Sequence, residues 1–220
     1  MLTAENKNKI LSLDDLILKR RSIRKYKSVS PPLDWLKDLM MCALQAPSPS
    51  NNQPVRFIRI ATEEKKQLIH DALCISRDNL LARTKMMGLS KKVKNKINAY
   101  FRFSKFMFDA PWIFAVGTIL NNDSGFQASL IEYGLTDKNQ ADDSSTDISV
   151  GLAIQSFLLK ATELGLGTCV LSAPLVFIPE IQKMPDFSHL KIKCFIAAGY
   201  SNENPIAPQK NSFSDIYSEV

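Results

Sequence analysis

The sequence predicts one large domain in which amphipathic helices alternate with short, strongly apolar strands. A chain of 220 residues, 45% of them hydrophobic, can bury a substantial core as a single domain. Apolar residues recur at helical spacing in several segments, whereas others are runs of β-forming residues of strand length. The composition is not that of a disordered chain, and no internal repeat or low-complexity segment is evident.

The first part of the chain is predicted to form two helices, a strand and a third helix. Ser12 caps a first helix that ends at about Lys19, because its hydroxyl can accept a hydrogen bond from a free amide of the first turn. A second helix spans about residues 30–47, with proline near both ends. Residues 55–61 are rich in β-forming side chains and predict a strand, after which Thr62 caps the third helix.

The remainder of the chain is predicted to alternate in the same way. Residues 77–110 predict a helical, lysine-rich insertion, and the apolar run at 112–119 predicts a central strand buried on both faces. Residues 121–147, rich in Asn, Asp, Ser and Gly, predict a loop or flap. The strongest helix spans 147–164 and ends at Gly165. Three short elements follow: strands at 168–172 and 191–198, with a helix at 176–184 between them.

Charge and composition argue against several classes of function. The net charge of +6 raises the question of nucleic acid, but the lysines and aromatics of residues 85–108 fall at helical spacing. That spacing favours a helix with its lysines in water, so we expect no nucleic-acid partner. No apolar run is long enough to cross a bilayer, and residues 1–10 lack a signal-peptide core, so we expect a cytoplasmic protein. The spacing of the four cysteines and two histidines predicts neither disulfides nor a metal site.

A cluster of basic side chains follows the first helix. Arg20, Arg21, Ser22 and Arg24 place three guanidiniums and a hydroxyl within five residues. Because Arg presents a fixed fork of donors that matches phosphate oxygens, the cluster is a candidate receptor for a phosphorylated ligand. The alternative is that these side chains are solvated and complement the helix dipole.

A polar loop follows the second helix. Residues 46–54 read A-P-S-P-S-N-N-Q-P. The prolines discourage a helix, and the short polar side chains between them could line the edge of a ligand.

Four segments occur in a fixed order along the chain: R-R-S-I-R at 20–24, the loop at 46–54, L-G-L-G-T at 164–168, and A-A-G-Y at 197–200 before a basic tail. Together they resemble the FMN-dependent nitroreductase family. The resemblance covers about residues 12–62 and 145–220. It implies an α+β fold with a mixed β-sheet flanked by helices, and an intertwined homodimer with an extended C-terminal arm at 201–220. Residues 1–220 would form one FMN-binding domain, with 77–110 as a variable insertion or lid.

The resemblance also implies roles for particular residues. The phosphate, ribityl chain and pyrimidine edge of FMN would be held by Arg20, Arg21, Ser22 and Arg24. Residues reaching the flavin, mostly from the other subunit, would be Pro47, Ser48, Pro49, Asn51 and Gln53. The backbone beside the flavin ring would be that of Val170, Leu171, Ser172 and Ala173. Lys210 stands where the family has a basic residue near the phosphate, although Gln209-Lys210-Asn211 departs from the usual pair of basic residues.

The activity implied is transfer of a hydride from NADH or NADPH through FMN to a nitroaromatic, a quinone or a similar acceptor, by a ping-pong scheme. No dedicated catalytic acid or metal is needed, because the flavin carries the redox chemistry. Arg24 is the candidate for stabilising the charge of the reduced flavin. The alternatives are a flavin-cleaving, reductively dehalogenating or flavin-storing member of the same family, and a basic interaction protein without enzymatic activity.

Overall fold

The computed structural model describes residues 11–120, 126–135 and 144–219. Its helices are α1 Leu13–Lys19, α2 Trp35–Leu44, α3 Glu63–Met86, α4 Lys91–Lys105, α5 Phe126–Glu132, α6 Ser144–Glu163, α7 Pro174–Phe177 and α8 Phe213–Ile216. Its strands are β1 Val55–Arg59, β2 Trp112–Ile119, β3 Gly167–Leu171 and β4 Leu190–Gly199. Helices packed on a sheet confirm the α+β class.

The four strands form one sheet in the order β1-β2-β4-β3, and every neighbouring pair is antiparallel. The parallel pairing of a mixed sheet is confined, within the described residues, to an isolated bridge between Ser22 and Thr168. The hairpin of α3 and α4 explains the first antiparallel pair. It returns the chain to the end of the sheet where β1 finished, so Arg59 lies opposite Phe114.

The core has two parts, one on each face of the sheet. Strand β2 alternates between them: Ile113 and Ala115 pack with one cluster, and Trp112 and Phe114 pack with the other. Helices α2 and α6 cover the second face, whereas α3, α4 and α7 cover the first. The prediction of a central strand buried on both faces is confirmed, because seven of the eight β2 residues are buried.

The predicted helix starts at Ser12 and Thr62 are confirmed. The Ser12 hydroxyl accepts a hydrogen bond from the Asp15 amide, and the Asp15 carboxylate accepts one from the Ser12 amide, which completes a capping box. The Thr62 hydroxyl accepts a hydrogen bond from the Lys65 amide at 3.3 Å. Each hydroxyl satisfies a backbone donor that has no partner inside its helix.

Three predicted boundaries need correction. Helix α2 begins at Trp35 rather than near residue 30, because the consecutive prolines 31 and 32 disfavour helical geometry at the residue before each. Helix α3 continues without a break to Met86, so no separate helix begins at residue 77. Residues 126–132 form α5 inside the predicted loop; the predicted loop residues 121–125 and 136–143 lie outside the described part of the chain.

The C-terminal arm has little regular structure and exposes apolar side chains. Ile206 is 94% exposed, and Phe213 and Ile216 of α8 are exposed by 71% and 77%. In the described part of the chain, no helix is both long and apolar enough to span a membrane. The same ranges contain no group of His, Cys, Asp and Glu side chains that could hold a metal ion.

Candidate anion-binding cleft

The arginine segment, residues 20–27, runs along the edge of the sheet beside β3. The Ile23 amide donates to the Thr168 carbonyl at 2.9 Å. Further along, the Lys27 amide donates to the Tyr200 carbonyl, also at 2.9 Å. The segment is therefore tied to β3 at one end and to the chain that leaves β4 at the other.

The buried side chain of Tyr26 joins this segment to strand β4. The Tyr26 hydroxyl donates towards the Ile23 carbonyl at 2.5 Å and lies 3.2 Å from the Ala197 carbonyl of β4. Burial raises the pKa of Tyr26, and Cys169 and Glu203 add to the effect. The hydroxyl therefore stays protonated and keeps joining the segment to the sheet.

A cleft of about 500 Å³ opens beside the arginine segment. Five predicted site residues line it together: Arg20, Arg21, Ser22, Arg24 and Lys210. The rest of the wall is mainly apolar: Ile17, Leu18, Pro205, Ile206, Ala207 and Pro208. The volume lies in the range of small-molecule sites. The structure thus brings the N-terminal basic cluster and the basic residue of the arm to one place.

The three guanidiniums of this cleft differ in how many hydrogen bonds hold them. Arg21 Nη1 donates to the carbonyls of Leu18 at 2.5 Å and Arg20 at 2.8 Å, which anchors the side chain to the end of α1. Arg24 Nη1 reaches the Ser22 carbonyl only at 3.4 Å. The half-buried Arg20 guanidinium makes no hydrogen bond or ion pair with any described residue.

The arginines of the cleft form no ion pair with a carboxylate of the described residues. Within residues 11–120, 126–135 and 144–219, no carboxylate forms an ion pair with Arg20, Arg21 or Arg24. The positive charge of these arginines also acts on Cys169 in β3. Burial raises the pKa of the Cys169 thiol, and Arg24 and Arg20 oppose that rise. Uncompensated guanidiniums that share a partly apolar cleft favour an anionic group there.

The polar loop at 46–54 lines a different space. Pro47, Ser48 and Gln53 border a crevice of about 40 Å³ against Ser149 and Ala153 of α6. No residue of this loop lines the arginine cleft of the same chain. The structure therefore does not bring the two predicted halves of the site together within one chain.

The backbone of this loop is strained. Ser50, Asn51 and Gln53 have φ values of 51°, 54° and 46°, in the left-handed region that residues other than glycine seldom occupy. Side chains hold the turn: the Gln53 amide donates to Ser48 Oγ at 2.9 Å, and Gln53 Nε2 donates to Asn51 Oδ1 at 3.1 Å. Such strain persists where the surroundings enforce it, often at ligand-binding loops.

The predicted residues 170–173 connect β3 to α7. Val170 and Ser172 are exposed, Ala173 is half-buried, and the Leu171 side chain is buried in the core. Leu171 could thus contact a ligand only through its backbone. That the backbone of these residues lies beside the flavin stays a prediction.

Two functional candidates, Tyr26 and Glu203, lie outside the residues predicted from the sequence. The Glu203 carboxylate contacts the arginine segment across a sequence separation of 179 residues, and no local pattern could have revealed this contact.

Comparison with curated proteins finds relatives named for two kinds of activity. The chain is 27% identical over 192 residues to an iodotyrosine deiodinase from Thermotoga neapolitana, covering 87% of this chain and 89% of that protein. It is 26% identical over 230 residues to a 4-nitrobenzoate reductase from Nocardioides sp., covering 90% and 84%. It is also 26% identical over 193 residues to an iodotyrosine dehalogenase 1 homolog from Caenorhabditis elegans; this covers 86% of the chain but 54% of that protein.

Solved structures share the fold over most of the chain. A BluB-like flavoprotein from Clostridium difficile 630 superposes with a TM-score of 0.77 at 26% identity, covering 96% of this chain and 99% of that one. An FMN-dependent nitroreductase from Mycobacterium smegmatis in complex with NADPH gives 0.67 at 15% identity, covering 94% and 97%. An iodotyrosine deiodinase bound to FMN and 3-iodo-L-tyrosine gives 0.66 at 24% identity, covering 94% and 100%.

A model of the nitroreductase family matches residues 17–200, which contain the whole sheet and the arginine segment. The match covers far more than half of the chain and agrees with both the motifs and the fold. The chain therefore belongs to the nitroreductase family.

Proposed function

We propose that this protein is an FMN-dependent oxidoreductase that transfers a hydride from NADH or NADPH to a small, electron-poor acceptor such as a nitroaromatic or a quinone. The observation that carries the proposal is the arginine cleft, in which the Arg20 guanidinium has no described partner. FMN fits this cleft chemically, because its phosphate needs several convergent cationic donors. The FMN-dependent nitroreductase and the FMN-bound deiodinase among the structural neighbours support the same cofactor.

Each group of residues has a distinct part in this proposal. All five basic or polar residues named here line the cleft. Arg20, Arg21, Ser22 and Lys210 would bind the phosphate and ribityl end of FMN, and Arg24 would donate to the pyrimidine edge. When bound, FMN supplies the redox chemistry. A guanidinium held at the pyrimidine edge would stabilise negative charge there without having to reorganise.

A shared site in a homodimer accounts for the separation of the loop from the cleft. The loop at 46–54 and the arginine cleft face different spaces in one chain, so we propose that the loop completes the cleft of a second copy. The outer surface beside the loop suits such an interface. Met41, Leu44 and Ile148 of α2 and α6 are exposed by 50%, 52% and 63%, and an interface would remove their apolar surface from water.

Reductive dehalogenation of an aromatic substrate is the second candidate function. The observation that favours it is the similarity to two relatives named for this activity, an iodotyrosine deiodinase and an iodotyrosine dehalogenase homolog. The same cofactor and cleft would serve either reaction. Turnover of a halogenated aromatic with release of halide, measured beside nitroaromatic and quinone reduction, discriminates between the two functions.

The cofactor proposal is tested by purification and titration. The protein should purify yellow, with FMN that is released on denaturation and therefore not covalently bound. The double variant Arg20→Ala/Arg24→Ala should lose most of its FMN, because each charge-assisted hydrogen bond contributes about 1.5–3 kcal/mol. Lys27→Ala is the matched control, since Lys27 is an exposed cation of the same segment that does not line the cleft. Full FMN retention by the double variant would overturn the assignment.

The reaction scheme is tested by anaerobic reduction and by steady-state kinetics. NADH or NADPH should bleach the bound flavin without an acceptor present. Double-reciprocal plots at several acceptor concentrations should be parallel, because one cleft holds donor and acceptor in turn. Intersecting lines, or failure of both nicotinamides to bleach the flavin, would contradict a ping-pong reductase.

A further inference from the structure

The carboxylate of Glu203 lies against the backbone of the arginine segment rather than against its guanidiniums. Glu203 Oε1 accepts hydrogen bonds from the backbone amides of Arg24 at 2.5 Å and Lys25 at 3.2 Å. These amides fall between the two points where the segment is tied to the sheet, at the Ile23 and Lys27 amides. Glu203 therefore holds the part of the segment that neither β3 nor residue 200 holds.

Glu203 is itself fixed at the start of the C-terminal arm. The Ser201 hydroxyl donates to the Glu203 carbonyl at 2.5 Å, and the Glu203 amide lies 3.2 Å from the same hydroxyl. Ser201 forms an antiparallel bridge with Tyr26, and the Asn202 amide donates to the Lys25 carbonyl at 2.9 Å. A half-buried carboxylate held in this way is a rigid acceptor.

We propose that Glu203 is a positioning residue for FMN binding, and that it acts by fixing the backbone at Arg24 so that the guanidinium stays directed into the cleft. This inference rests on the proposed function, because it takes the phosphorylated ligand of the cleft to be FMN. Two hydrogen bonds to one carboxylate hold the backbone more firmly than two bonds to neutral carbonyls would. Glu203 also joins the first residues of the C-terminal arm to the arginine segment, and the same arm carries Lys210.

The charge and the hydrogen bonds of Glu203 have opposite effects on the binding of an anion. A carboxylate that lies against the arginine segment repels an anion bound by that segment, so removing its charge alone should strengthen binding. Removing its hydrogen bonds frees the backbone at Arg24 and should weaken binding. Glu203→Gln removes the charge but keeps an oxygen that can accept from an amide, whereas Glu203→Ala removes both. The two variants therefore separate positioning from electrostatics.

The experiment is a titration of FMN into the flavin-free forms of the unmodified protein, Glu203→Gln and Glu203→Ala, followed by flavin fluorescence. Glu203→Ala should raise the Kd of FMN about ten-fold or more, on the scale of one lost hydrogen bond to a charged group. Glu203→Gln should bind as tightly as the unmodified protein or more tightly. Equal weakening in both variants, or tighter binding by Glu203→Ala, would overturn the proposal.

Hydrogen exchange provides a readout that does not depend on flavin. In the flavin-free protein, the Arg24 and Lys25 amides should exchange at least ten times faster in Glu203→Ala than in Glu203→Gln, while the Ile23 amide bonded to Thr168 should be unchanged. Equal exchange of the first two amides in both variants would overturn the proposal. Glu64→Ala, which changes an exposed glutamate at the start of α3, is the control for loss of a negative charge.

The two ways of failing are distinguishable. If the unmodified protein binds no FMN, the proposed function fails, and the exchange measurement still decides whether Glu203 holds the segment. If the unmodified protein binds FMN and Glu203→Ala binds it equally well, the positioning role fails and the proposed function stands.

Discussion

Replacing Gly167 by alanine tests whether the edge of the sheet positions the arginine segment. A Cβ atom at Gly167, the first residue of β3, would lie 2.6 Å from Cγ1 and 2.9 Å from Cβ of Ile23. Ordinary van der Waals contact begins at 3.4 Å, so either Ile23 or the strand must move. Ile23 is 5% exposed and lies between Ser22 and Arg24, so its movement should displace both of these cleft residues.

The expected loss of stability in Gly167→Ala follows from overpacking alone. Gly167 does not have a positive φ, so alanine can adopt its backbone conformation without strain. Inserting a methyl group into a well-packed site costs about 1–3 kcal/mol. For a chain of this size, each kcal/mol lowers Tm by roughly 2–4 °C, so the flavin-free variant should melt about 2–12 °C lower. Misplacing one charge-assisted hydrogen bond should also raise the Kd of FMN about ten-fold.

The assay is a thermodynamic cycle of Gly167→Ala, Ile23→Ala and the double variant, each measured by thermal unfolding and by FMN titration. Ile23→Ala removes the γ carbons that clash with the new methyl group, so the double variant should be more stable than the sum of the single changes predicts. Gly151→Ala is the control, because a Cβ atom there meets nothing within 4 Å. Since Gly151 lies in the interior of α6, this substitution should raise the free energy of unfolding by about 0.5–1 kcal/mol. A Gly167→Ala protein with unchanged melting and FMN affinity, or an additive cycle, would refute the argument.

Three further predictions follow from burial and from the walls of the cleft. Phe103 is 54% exposed, so Phe103→Ala should change the free energy of unfolding by only about 0.5 kcal/mol. If residues 77–110 form the lid of the site, as proposed from the family resemblance, the same change should alter the KM for the acceptor. Phe101→Ala should cost about 3–5 kcal/mol, because that ring is 6% exposed. Urea unfolding combined with steady-state kinetics separates the two, and a large loss of stability in Phe103→Ala would contradict the surface role. Stability should fall as the pH rises above about 9, because burial raises the pKa of Cys194 from 9.0 to about 12 and the unfolded chain then releases a proton that the folded chain retains. Urea midpoints at pH 8 and pH 10 should differ less in Cys194→Ala, and an equal difference would count against the linkage. Removing residues 205–220 deletes Lys210 and one wall of the cleft, so FMN affinity and dimerisation should both weaken; a flavin-loaded dimer of the shortened chain in sedimentation would contradict the shared site.

The parts of the fold that sequence reasoning predicted well depend on signals close together in the chain. A hydroxyl cap acts over three residues, which is why Ser12 and Thr62 mark the starts of α1 and α3. The apolar run of β2 is continuous because both of its faces are covered. Helix α2 begins later than predicted, because Pro31 after Ser30 favours a helix start, whereas a second proline directly after it delays the start to Trp35. The seven-residue helix α5 is too short to show a reliable period within a polar segment.

The candidate site was less accessible to sequence reasoning, because its geometry is set by contacts between distant parts of the chain. The guanidinium donors of Arg20, Arg21 and Arg24 could be recognised from their spacing alone, since they occur within five residues. The contacts that orient these arginines join distant parts of the chain. The Tyr26 hydroxyl contacts the Ala197 carbonyl at a sequence separation of 171 residues, and the Glu203 carboxylate contacts the Arg24 amide at a separation of 179.

The backbone conformation of the polar loop is a second feature that residue types alone do not predict. The composition of the loop at 46–54 predicts a turn, yet it does not predict left-handed geometry at Ser50, Asn51 and Gln53. Gln53 is the most demanding of the three, because it precedes Pro54 and the residue before a proline normally adopts an extended conformation with negative φ. Such a backbone persists only when its surroundings enforce it. The hydrogen bond from the Gln53 amide to Ser48 Oγ does so from within the chain, and we expect a second copy, seated over the exposed side of the loop, to do so from outside.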